Sequence, residues 1–449
     1  MAKGRAVSES EFFERIATAL VEGGPVRDLL RRSSRSYLTW DQFLASRLPD
    51  PLSPVQTWEV LKAIDHAAGI DLPIPDLEGR TYWYLRTHDI ADSVGRIQCL
   101  CRADSSLYRR LTATQNRRVL VHSRIDETLA AAQLDGLLIS VEQGADLLRS
   151  NRAPRNNTER IVRNTLAALD HLDELVGEPF SYDLLMHLRS LLLVGLRVDA
   201  WPVTPPRMGL MPSEYSDEQV REGSERQVRH ICDYANHATG DPHDHPVMRA
   251  LLLTDMFRFY RPLPCMNSQV GRLVFRLYAL KVGLPVLGML PISRAKLSWE
   301  DDALESPLVT LRPGEYFEAH RHFGTDLTGY MTLAVQLALT ALQDLNWQID
   351  DMERQDEELR SLLQQDPTIN HRQRSVLGRA LRNPTSEFRI ATHKTTHSVV
   401  YATARADLLD LVERGYLEMV TRGRAFVFVP APGMRALLEE HEGLRVASE

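Results

Sequence analysis

The sequence has few cysteines, no long hydrophobic run and no excess of positive charge. Its four cysteines, Cys99, Cys101, Cys232 and Cys265, are too few and too scattered for a disulfide framework. Cys99 and Cys101 have no second pair and no neighbouring histidines, so we expect no metal site there. A formal net charge of −7 argues against a protein that covers nucleic acid or anionic membrane with its whole surface. No segment reaches the length of a transmembrane span, and the first residues lack the apolar core of a signal peptide, which predicts a cytoplasmic protein with no membrane partner.

Helical periodicity dominates the sequence and predicts a mainly α protein. Apolar residues recur at helical spacing from about Asp89 to Thr340. We predict an N-terminal helical region over 1–85, a helical domain over 86–325, a long helix or linker over 326–368 and a C-terminal domain over 369–449. The proline-rich stretch GLRVDAWPVTPPRMGLMPSEYSD interrupts the helical pattern and predicts a loop or a short β-hairpin.

Local signals mark some element ends. Ser8 or Ser10 is expected to cap a first helix, and Ser53-Pro54 is expected to begin another. The stretch LPIPDLEGRTYWYL predicts an extended connector. The long helix, from about Leu327 to Gln365, has an apolar first half and a charged second half. This pattern indicates a core helix that emerges into solvent; a coiled-coil or dimer arm is the alternative.

The tail from Ile369 onwards differs from the preceding helices. HRQRSVLGRALR predicts a helix, EFRIAT a short strand, and the stretch from Ser398, as N-cap, to Gly415, as C-cap, a second helix. YLEMV and AFVFVP predict two strands around the turn TRGR. With a short helix before Ser398, this order matches a winged helix, a small α+β domain.

Basic residues of this domain are candidates for contacts with DNA phosphates: Lys394, Arg405, Arg422 and Arg424. Three acidic residues share the helix with Arg405, namely Asp407, Asp410 and Glu413. The sequence therefore leaves open whether the domain binds DNA or serves only protein contacts, including a homodimer.

One loop between two amphipathic helices is the best candidate for chemistry. The segment RPLPCMNSQ follows HPVMRALLLTDMFRFY and leads directly into VGRLVFRLYALKVGL. A helix N-terminus presents unpaired backbone N–H groups and the positive end of the helix dipole, both of which suit an anion. The segment therefore predicts a site for a small anionic ligand.

This segment resembles the motif of the Fic family, whose members transfer AMP or related phosphate-containing groups to hydroxyl side chains. The family pattern is H-P-F-x-D/E-G-N-G-R-x-x-R. It aligns without gaps with Arg261, Pro262, Leu263, Pro264, Cys265, Met266, Asn267, Ser268, Gln269, Val270, Gly271 and Arg272. The resemblance implies a Fic-like helical core with a short β-hairpin flap, and places the flap in the stretch around Trp201–Met211.

Further segments resemble the family in the expected order. QLDGLLISVEQGADLLRSN is similar to the region of the family's inhibitory helix, with Ala131, Asp135 and Gly136 at the positions of its S/T-x-x-x-E-G/N pattern. The glutamate of that pattern pairs with the second motif arginine, so the resemblance implies a contact between Asp135 and Arg272. The tail is similar to winged helices appended to many Fic proteins.

The motif departs from the family at the positions that carry chemistry. Arg261 replaces the histidine that accepts a proton, Cys265 replaces the acid that holds Mg²⁺, and Gln269 replaces a phosphate-binding arginine. An arginine cannot act as a base near neutral pH, and a thiol is a poor ligand for a hard cation. Met266 and Ser268 replace glycines. AMP transfer, and with it binding of Mg²⁺ and ATP, is therefore not expected, and no cofactor is predicted.

Three hypotheses remain. The first is a pseudoenzyme: a Fic-like scaffold that binds a ligand, for which Asn267, Ser268, Gln269 and Arg272 are the candidate anion-binding residues. The second is a repurposed enzyme that uses Arg261, Cys265 and Arg272, with His243 and His245 as alternative bases. The third is a transcriptional regulator that binds DNA through the winged helix.

Overall fold

The computed structural model describes residues 24–46, 53–75, 80–150, 152–196, 217–240, 244–305, 325–365, 368–382, 385–422 and 425–438. The chain forms two compact units, Met1–Trp347 and Gln348–Glu449. The predicted flap and the predicted caps Ser8 and Ser10 lie outside the described residues.

From residue 24 onwards, the first described elements of the first unit are three helices and a β-hairpin. They are α1 (Pro25–Arg35), α2 (Trp40–Leu44), α3 (Pro54–Ala67), β1 (Ile70–Pro75) and β2 (Thr81–Tyr84). Ser53 caps α3, as predicted, because its hydroxyl accepts from the Gln56 N–H while the Gln56 side chain accepts from the Ser53 N–H. The stretch predicted as an extended connector contains β2 and all but the first two residues of β1, and the two strands pair antiparallel.

The other described residues of the first unit are mainly helical, as the periodicity predicts. Its helices are α4 (His88–Cys101), α5 (Ser106–Thr112), α6 (Arg117–Leu134), α7 (Val141–Ser150), α8 (Asn157–Asp170), α9 (Tyr182–Leu192), α10 (Asp217–Ala235), α11 (Pro246–Tyr260), α12 (Asn267–Lys281), α13 (Pro285–Met289) and α14 (Ile292–Glu305). Short 3₁₀ turns lie at Thr114–Asn116 and Leu172–Leu175. Among the described residues, no helix is both long and apolar enough to cross a membrane.

Helix α12 runs through the centre of this unit. Nearly all its residues from Val270 to Ala279 are buried. Gly271 allows α12 to approach α11 closely, because a Cβ atom there would lie 2.9 Å from the Thr254 carbonyl oxygen and 3.0 Å from the Phe257 Cβ. The packing of α11 against α12 fixes both ends of the loop that joins them.

The long helix α15 (Thr328–Gln365) agrees with the prediction to within a residue at its start. The Thr328 N–H donates to the Asp326 carboxylate at 2.8 Å, which satisfies a free donor of the first turn. Met331, Val335, Ala338 and Leu342 are buried at helical spacing in the first unit. The helix continues into the second unit, where Leu363 joins the hydrophobic core.

Among its described residues, the second unit contains the end of α15, a short helical segment at 434–438 and, between them, three helices followed by a hairpin. They are α16 (His371–Arg382), α17 (Ile390–His397), α18 (Tyr401–Glu413), β3 (Leu417–Arg422) and β4 (Ala425–Pro430). Its core is formed by residues of every element, among them Leu377, Phe388, Leu408, Leu417 and Phe428. Gly415 adopts a left-handed φ of 77° just after α18, in keeping with its predicted capping role.

Two local predictions in this unit are wrong. EFRIAT is not a strand: Phe388 alone forms a bridge, with Phe428, and α17 begins at Ile390. Ser398 is not the N-cap of the following helix. It ends α17 with a left-handed φ of 53°, and Val400 is the N-cap of α18. A residue that closes one helix in the left-handed region cannot also adopt the extended conformation that an N-cap requires.

The buried carboxylate of Asp407 joins all three helices of this unit. It accepts hydrogen bonds from Arg372 at 2.7 and 2.9 Å and from Asn370 at 2.9 Å, and it lies 3.1 Å from the His393 ring. Burial alone would raise the pKa of Asp407, but hydrogen bonds from Arg372, Asn370 and His393 outweigh it and lower the pKa from 3.8 to about 2.

Replacement of Asp407 by asparagine should destabilise the second unit in a pH-dependent way. The lowered pKa means that the carboxylate stabilises the fold fully above pH 4 and loses this effect as the pH falls towards 2. At neutral pH we expect a loss of about 3 kcal/mol, since Arg372 would lose its charged partner. The difference between wild type and variant should shrink between pH 4 and pH 2, as measured by hydrogen exchange of the α18 amides.

The matched control is Glu413→Gln, which removes the same charge from an exposed position of α18. It should change stability by no more than about 0.5 kcal/mol. Equal effects of the two substitutions at neutral pH would contradict the role assigned to Asp407.

Candidate functional site

Two residues with left-handed backbone bracket the loop between α11 and α12. Arg261 has a φ of 51° and ends α11, where its N–H donates to the Phe257 carbonyl at 3.0 Å. Met266 has a φ of 63° and precedes α12. Left-handed backbone is costly for a side chain other than glycine, so the surrounding packing must impose both conformations. At Met266 the loop keeps a backbone shape for which the resembled motif uses glycine.

The Asn267 side chain holds the loop closed. Its Nδ2 donates to the Leu263 carbonyl at 2.7 Å, and its Oδ1 accepts from the Leu263 N–H at 2.9 Å. Both groups are buried, so losing either hydrogen bond would leave a polar atom without a partner in the protein interior. Asn267 therefore fixes the direction in which α12 begins.

The first turn of α12 faces a cavity of about 540 Å³. The first α-helical hydrogen bond at this end joins the Val270 N–H to the Met266 carbonyl. The N–H groups of the preceding residues have no partner within the helix and carry the positive end of its dipole. A volume of this size falls within the range of small-molecule sites.

The structure brings the predicted motif residues together around this cavity. Arg261, Cys265, Met266, Asn267, Ser268, Gln269, Arg272 and the more distant Asp135 all contribute to its lining. Leu263 is instead buried in the core, so it supports the loop from behind.

Arg272 and Asp135 form a bidentate ion pair beside the cavity. The guanidinium donates to the two carboxylate oxygens at 2.7 and 2.8 Å, and also to the Ala131 carbonyl at 3.3 Å. Burial lowers the pKa of Arg272, but the charge and hydrogen bonds of Asp135 outweigh it and raise the pKa overall. The contact implied by the family resemblance is therefore present, although aspartate is one methylene shorter than glutamate.

A second buried pair, Arg276 with Glu127, was not predicted. One Arg276 nitrogen lies 3.5 Å from the Glu127 carboxylate, and another donates to the Gly288 carbonyl at 2.7 Å. Glu127 also accepts from the Ser293 N–H, at 2.8 Å, in the first turn of α14. Burial lowers the pKa of Arg276 despite its acidic partner. No local sequence signal links these residues, because they meet only through tertiary packing.

Cys265 has an unexpected partner. Arg189, from α9, donates to its Sγ atom at 3.2 Å. The family resemblance implies a metal ion at this position, but the donor set does not fit one: a thiol is a poor ligand for Mg²⁺, and a guanidinium repels cations. The described residues also contain no group of three or more His, Cys, Asp or Glu placed to bind a metal.

Further side chains of the cavity come from other segments. Arg258 precedes Arg261 by three residues, and helical spacing from Thr254 and Asp255 could have revealed that it shares their face. Lys296 of α14 and Tyr330 of α15 also line the cavity. Both residues lie far from the loop along the chain, so no local sequence pattern predicts that they line the cavity.

Of the two histidines weighed as bases, only His245 belongs to the described residues. His243 lies outside the described residues. His245 is the N-cap of α11: its Nδ1 accepts from the Val247 N–H, and its Nε2 lies 3.0 Å from the Gln98 side chain. Burial lowers the pKa of His245. It is a structural cap, which is the simpler of the two roles that the sequence allows.

The candidate DNA-contacting residues belong to the second unit. Lys394 of α17 and Arg405 of α18 are exposed. The Arg422 side chain and Arg424 lie outside the described residues.

The chain is similar in structure to several solved Fic proteins. A Fic family protein from Desulfovibrio desulfuricans G20 matches with a TM-score of 0.46 and 15% identity, over 76% of this chain and 94% of that one. Fic-1 from C. elegans matches with a TM-score of 0.43 and 15% identity, over 77% and 95%. A Fic-domain signalling protein from Bacteroides thetaiotaomicron VPI-5482 matches with a TM-score of 0.41 and 15% identity, over 58% and 98%. No family model and no curated protein matches the sequence.

Replacement of Asp135 by asparagine should destabilise the first unit by about 2 kcal/mol, because Arg272 would keep its charge in a partly buried position without an anionic partner. Denaturant unfolding followed by tryptophan fluorescence measures the effect. The control is Asp173→Asn, which removes the same charge from an exposed position and should leave stability within about 0.5 kcal/mol of wild type. If Asp135→Asn lowers the free energy of unfolding no more than Asp173→Asn does, the ion pair does not stabilise the fold.

Proposed function

We propose that the chain is a catalytically degenerate Fic-like protein that binds a small anionic ligand in the loop cavity and does not transfer AMP. The C-terminal unit is proposed to be a winged helix that gives the protein a regulatory output. The observation that carries the proposal is the position of Arg261. It lines the cavity at the motif histidine position, where AMP transfer would require a proton acceptor.

The proposed loss of AMP transfer follows from substitutions at several motif positions. A general base typically contributes about 10²–10⁴-fold to a rate, and an arginine cannot supply it. Metal-assisted stabilisation of charge contributes several kcal/mol more, and Cys265 is a poor ligand for Mg²⁺. Arg272 is bound to Asp135, and Gln269 carries no charge with which to hold a phosphate.

Ligand binding is supported by the features that the loop retains. Asn267 closes the loop with two buried hydrogen bonds, Met266 keeps the left-handed backbone, and Gly271 keeps α11 and α12 close together. These features preserve the N-terminus of α12, which suits an anion by its dipole and its N–H groups. A binding site needs these features even where no reaction follows.

The charges around the cavity favour an anion. Arg258, Arg261 and Lys296 contribute to its lining together with the loop. Three acidic residues also line it, Glu127, Asp135 and Asp255. Asp135 is engaged with Arg272, and Glu127 with Arg276 and the first turn of α14, so Arg258, Arg261 and Lys296 outnumber the remaining acid, Asp255. A phosphate or carboxylate is therefore the expected ligand chemistry.

Purified protein should transfer no label from α-labelled ATP, UTP or CDP-choline to itself, with or without Mg²⁺. The variant Arg261→His should also be inactive, since Cys265 and Gln269 still lack the charges that AMP transfer requires. Autoradiography and intact mass measure the outcome. Label on the wild-type protein that disappears in Arg261→Ala would refute the proposal.

Anion binding should be visible as thermal stabilisation. A saturating ligand at about 100 times its Kd adds about 2.7 kcal/mol to stability, so inorganic pyrophosphate should raise Tm by several degrees. The shift should be reduced in Arg261→Ala and unchanged in Arg109→Ala, which removes an exposed arginine of α5. Equal shifts in all three proteins would mean that pyrophosphate binds elsewhere.

A second candidate function is an enzyme of different chemistry that uses Cys265. The observation in its favour is that Cys265 lines the cavity and its sulfur accepts a hydrogen bond from Arg189. Against it, the thiol is buried, with 5% of the residue exposed. A small buried residue that fills space is the simpler interpretation.

Alkylation by iodoacetamide separates the two interpretations. If Cys265 only fills space, it should react more slowly than the exposed Cys99, because burial limits access of the reagent. Peptide mass spectrometry gives both rates in one sample. Faster reaction at Cys265 than at Cys99, together with loss of function in Cys265→Ser, would favour the enzyme.

A further inference from the structure

Helix α15 has two apolar faces. One of them, which includes Met331 and Val335, is buried in the core. The other lines the cavity, and we call it the α15 cavity face; it consists of Tyr330, Leu333, Ala334 and Leu337. These four residues recur at i, i+3, i+4 and i+7, so they share one side of the helix. At 3.6 residues per turn, the centres of the two faces lie about 120° apart. The apolar side towards the cavity is therefore separate from the core contact.

The protein covers the α15 cavity face only in part. Leu333 and Ala334 are half-buried, whereas Met331 and Val335 on the core face are 0% and 1% exposed. Apolar surface in contact with water carries a free-energy cost that grows with its area. A ligand with apolar surface of its own would remove part of this cost when it enters the cavity.

Other elements add apolar side chains to the cavity. They come from α6, from the turn after it, from α12 and from α14, and they are Leu134, Leu137, Phe275 and Ile292. All except Phe275 are half-buried, as on α15. The apolar lining is thus supplied by several helices, and along the α15 cavity face it extends over seven residues, about 10 Å.

The apolar lining and the cationic lining meet on shared helices. On α14, Ile292 and Lys296 are four residues apart, so they lie on the same side of that helix. On α11, Leu251 and Arg258 are seven residues apart and also share a side. A ligand that contacts the positive charges therefore has apolar surface next to it.

The balance of charge favours a doubly charged head group. Arg258, Arg261 and Lys296 line the cavity together with the acid Asp255, while Asp135 and Glu127 are engaged with arginines. A phosphate monoester carries a charge of about −1.5 to −2 at pH 7, which matches this excess better than the single charge of a carboxylate.

We propose that the ligand of the cavity is an amphiphilic phosphate monoester, with its phosphate at Arg258, Arg261 and Lys296 and its hydrocarbon group against the α15 cavity face. Small-molecule sites are mostly apolar, with a few polar groups that fix the orientation of the ligand. An inorganic anion would leave the apolar lining in water. This inference rests on the proposed function, because it names the ligand of the same anion site.

Isothermal titration calorimetry of the full chain with pyrophosphate, methyl, butyl and hexyl phosphate, AMP and hexanol tests the proposal. Affinity should rise about threefold for each added methylene, and so about tenfold from butyl to hexyl phosphate. The heat-capacity change of binding should become more negative with chain length, since more apolar surface is buried. Hexanol, which lacks the anionic group, should bind at least about tenfold more weakly than hexyl phosphate.

Two substitutions on the α15 cavity face test where the hydrocarbon group lies. Leu333→Ala removes apolar surface, and Ala334→Phe fills the space beside it; each should weaken hexyl phosphate binding about tenfold. Pyrophosphate should bind both variants as it binds wild type, which also shows that their cavities are folded. The matched control is Leu339→Ala, which shortens a half-buried leucine of the same helix away from the cavity lining and should leave hexyl phosphate binding unchanged.

Failure of this inference can be told from failure of the proposed function. If pyrophosphate binds but methyl and hexyl phosphate bind equally well, the inference is overturned and the anion site stands. If no anion binds, both are overturned. Tighter binding of AMP than of hexyl phosphate would also contradict the inference, since the cavity would then hold a nucleoside. So would equal losses in Leu333→Ala and Leu339→Ala, because the hydrocarbon group would then lie elsewhere.

Discussion

The reciprocal hydrogen bonds between the Asn267 side chain and the Leu263 backbone are the constraint on which the cavity depends. They tie the loop to the first residue of α12, and both are buried. Together with the surrounding packing, they hold the left-handed backbone at Arg261 and Met266, which side chains other than glycine adopt only at a cost. The direction of the α12 N–H groups, and hence the ability of the site to attract an anion, follows from this one side chain.

The motif separates into residues that build the loop and residues that would act on a substrate. Asn267 and Gly271 satisfy backbone and packing requirements, and these requirements are the same whether or not a reaction occurs. Arg261, Cys265 and Gln269 face the cavity, where the packing demands less of the side chain. Met266 is the exception, since it replaces a glycine at a position with left-handed backbone. This pattern explains how the cavity can keep its shape while its side chains change.

Sequence reasoning predicted helices best where periodicity and caps agreed, as at Ser53 and over α16, whose bounds coincide with the predicted segment. It was wrong at Ser398, where a residue with good N-capping propensity closes the preceding helix instead. The error has a physical cause. Capping propensity depends on the residue alone, but the short link between α17 and α18 must end one helix and begin the next, and here Ser398 ends the first. Within the site, the family resemblance implied the loop and the Asp135–Arg272 contact, and the contact is present. The contact of Arg189 with Cys265, and the places of Glu127 and Lys296 in the cavity lining, could not be predicted, because these residues come from helices far away in the sequence and carry no pattern of their own.

The chain as a whole is acidic, but in each unit key carboxylates are used inside the protein: Asp135 and Glu127 hold arginines beside the cavity, and Asp407 and Asp410 join the helices of the second unit. A carboxylate engaged in this way contributes little field at a surface that it does not face, because its partner cancels most of its charge at short range. Net charge therefore says little about the cavity. What decides the local potential is which charges are paired internally, and that can be read only from the folded structure.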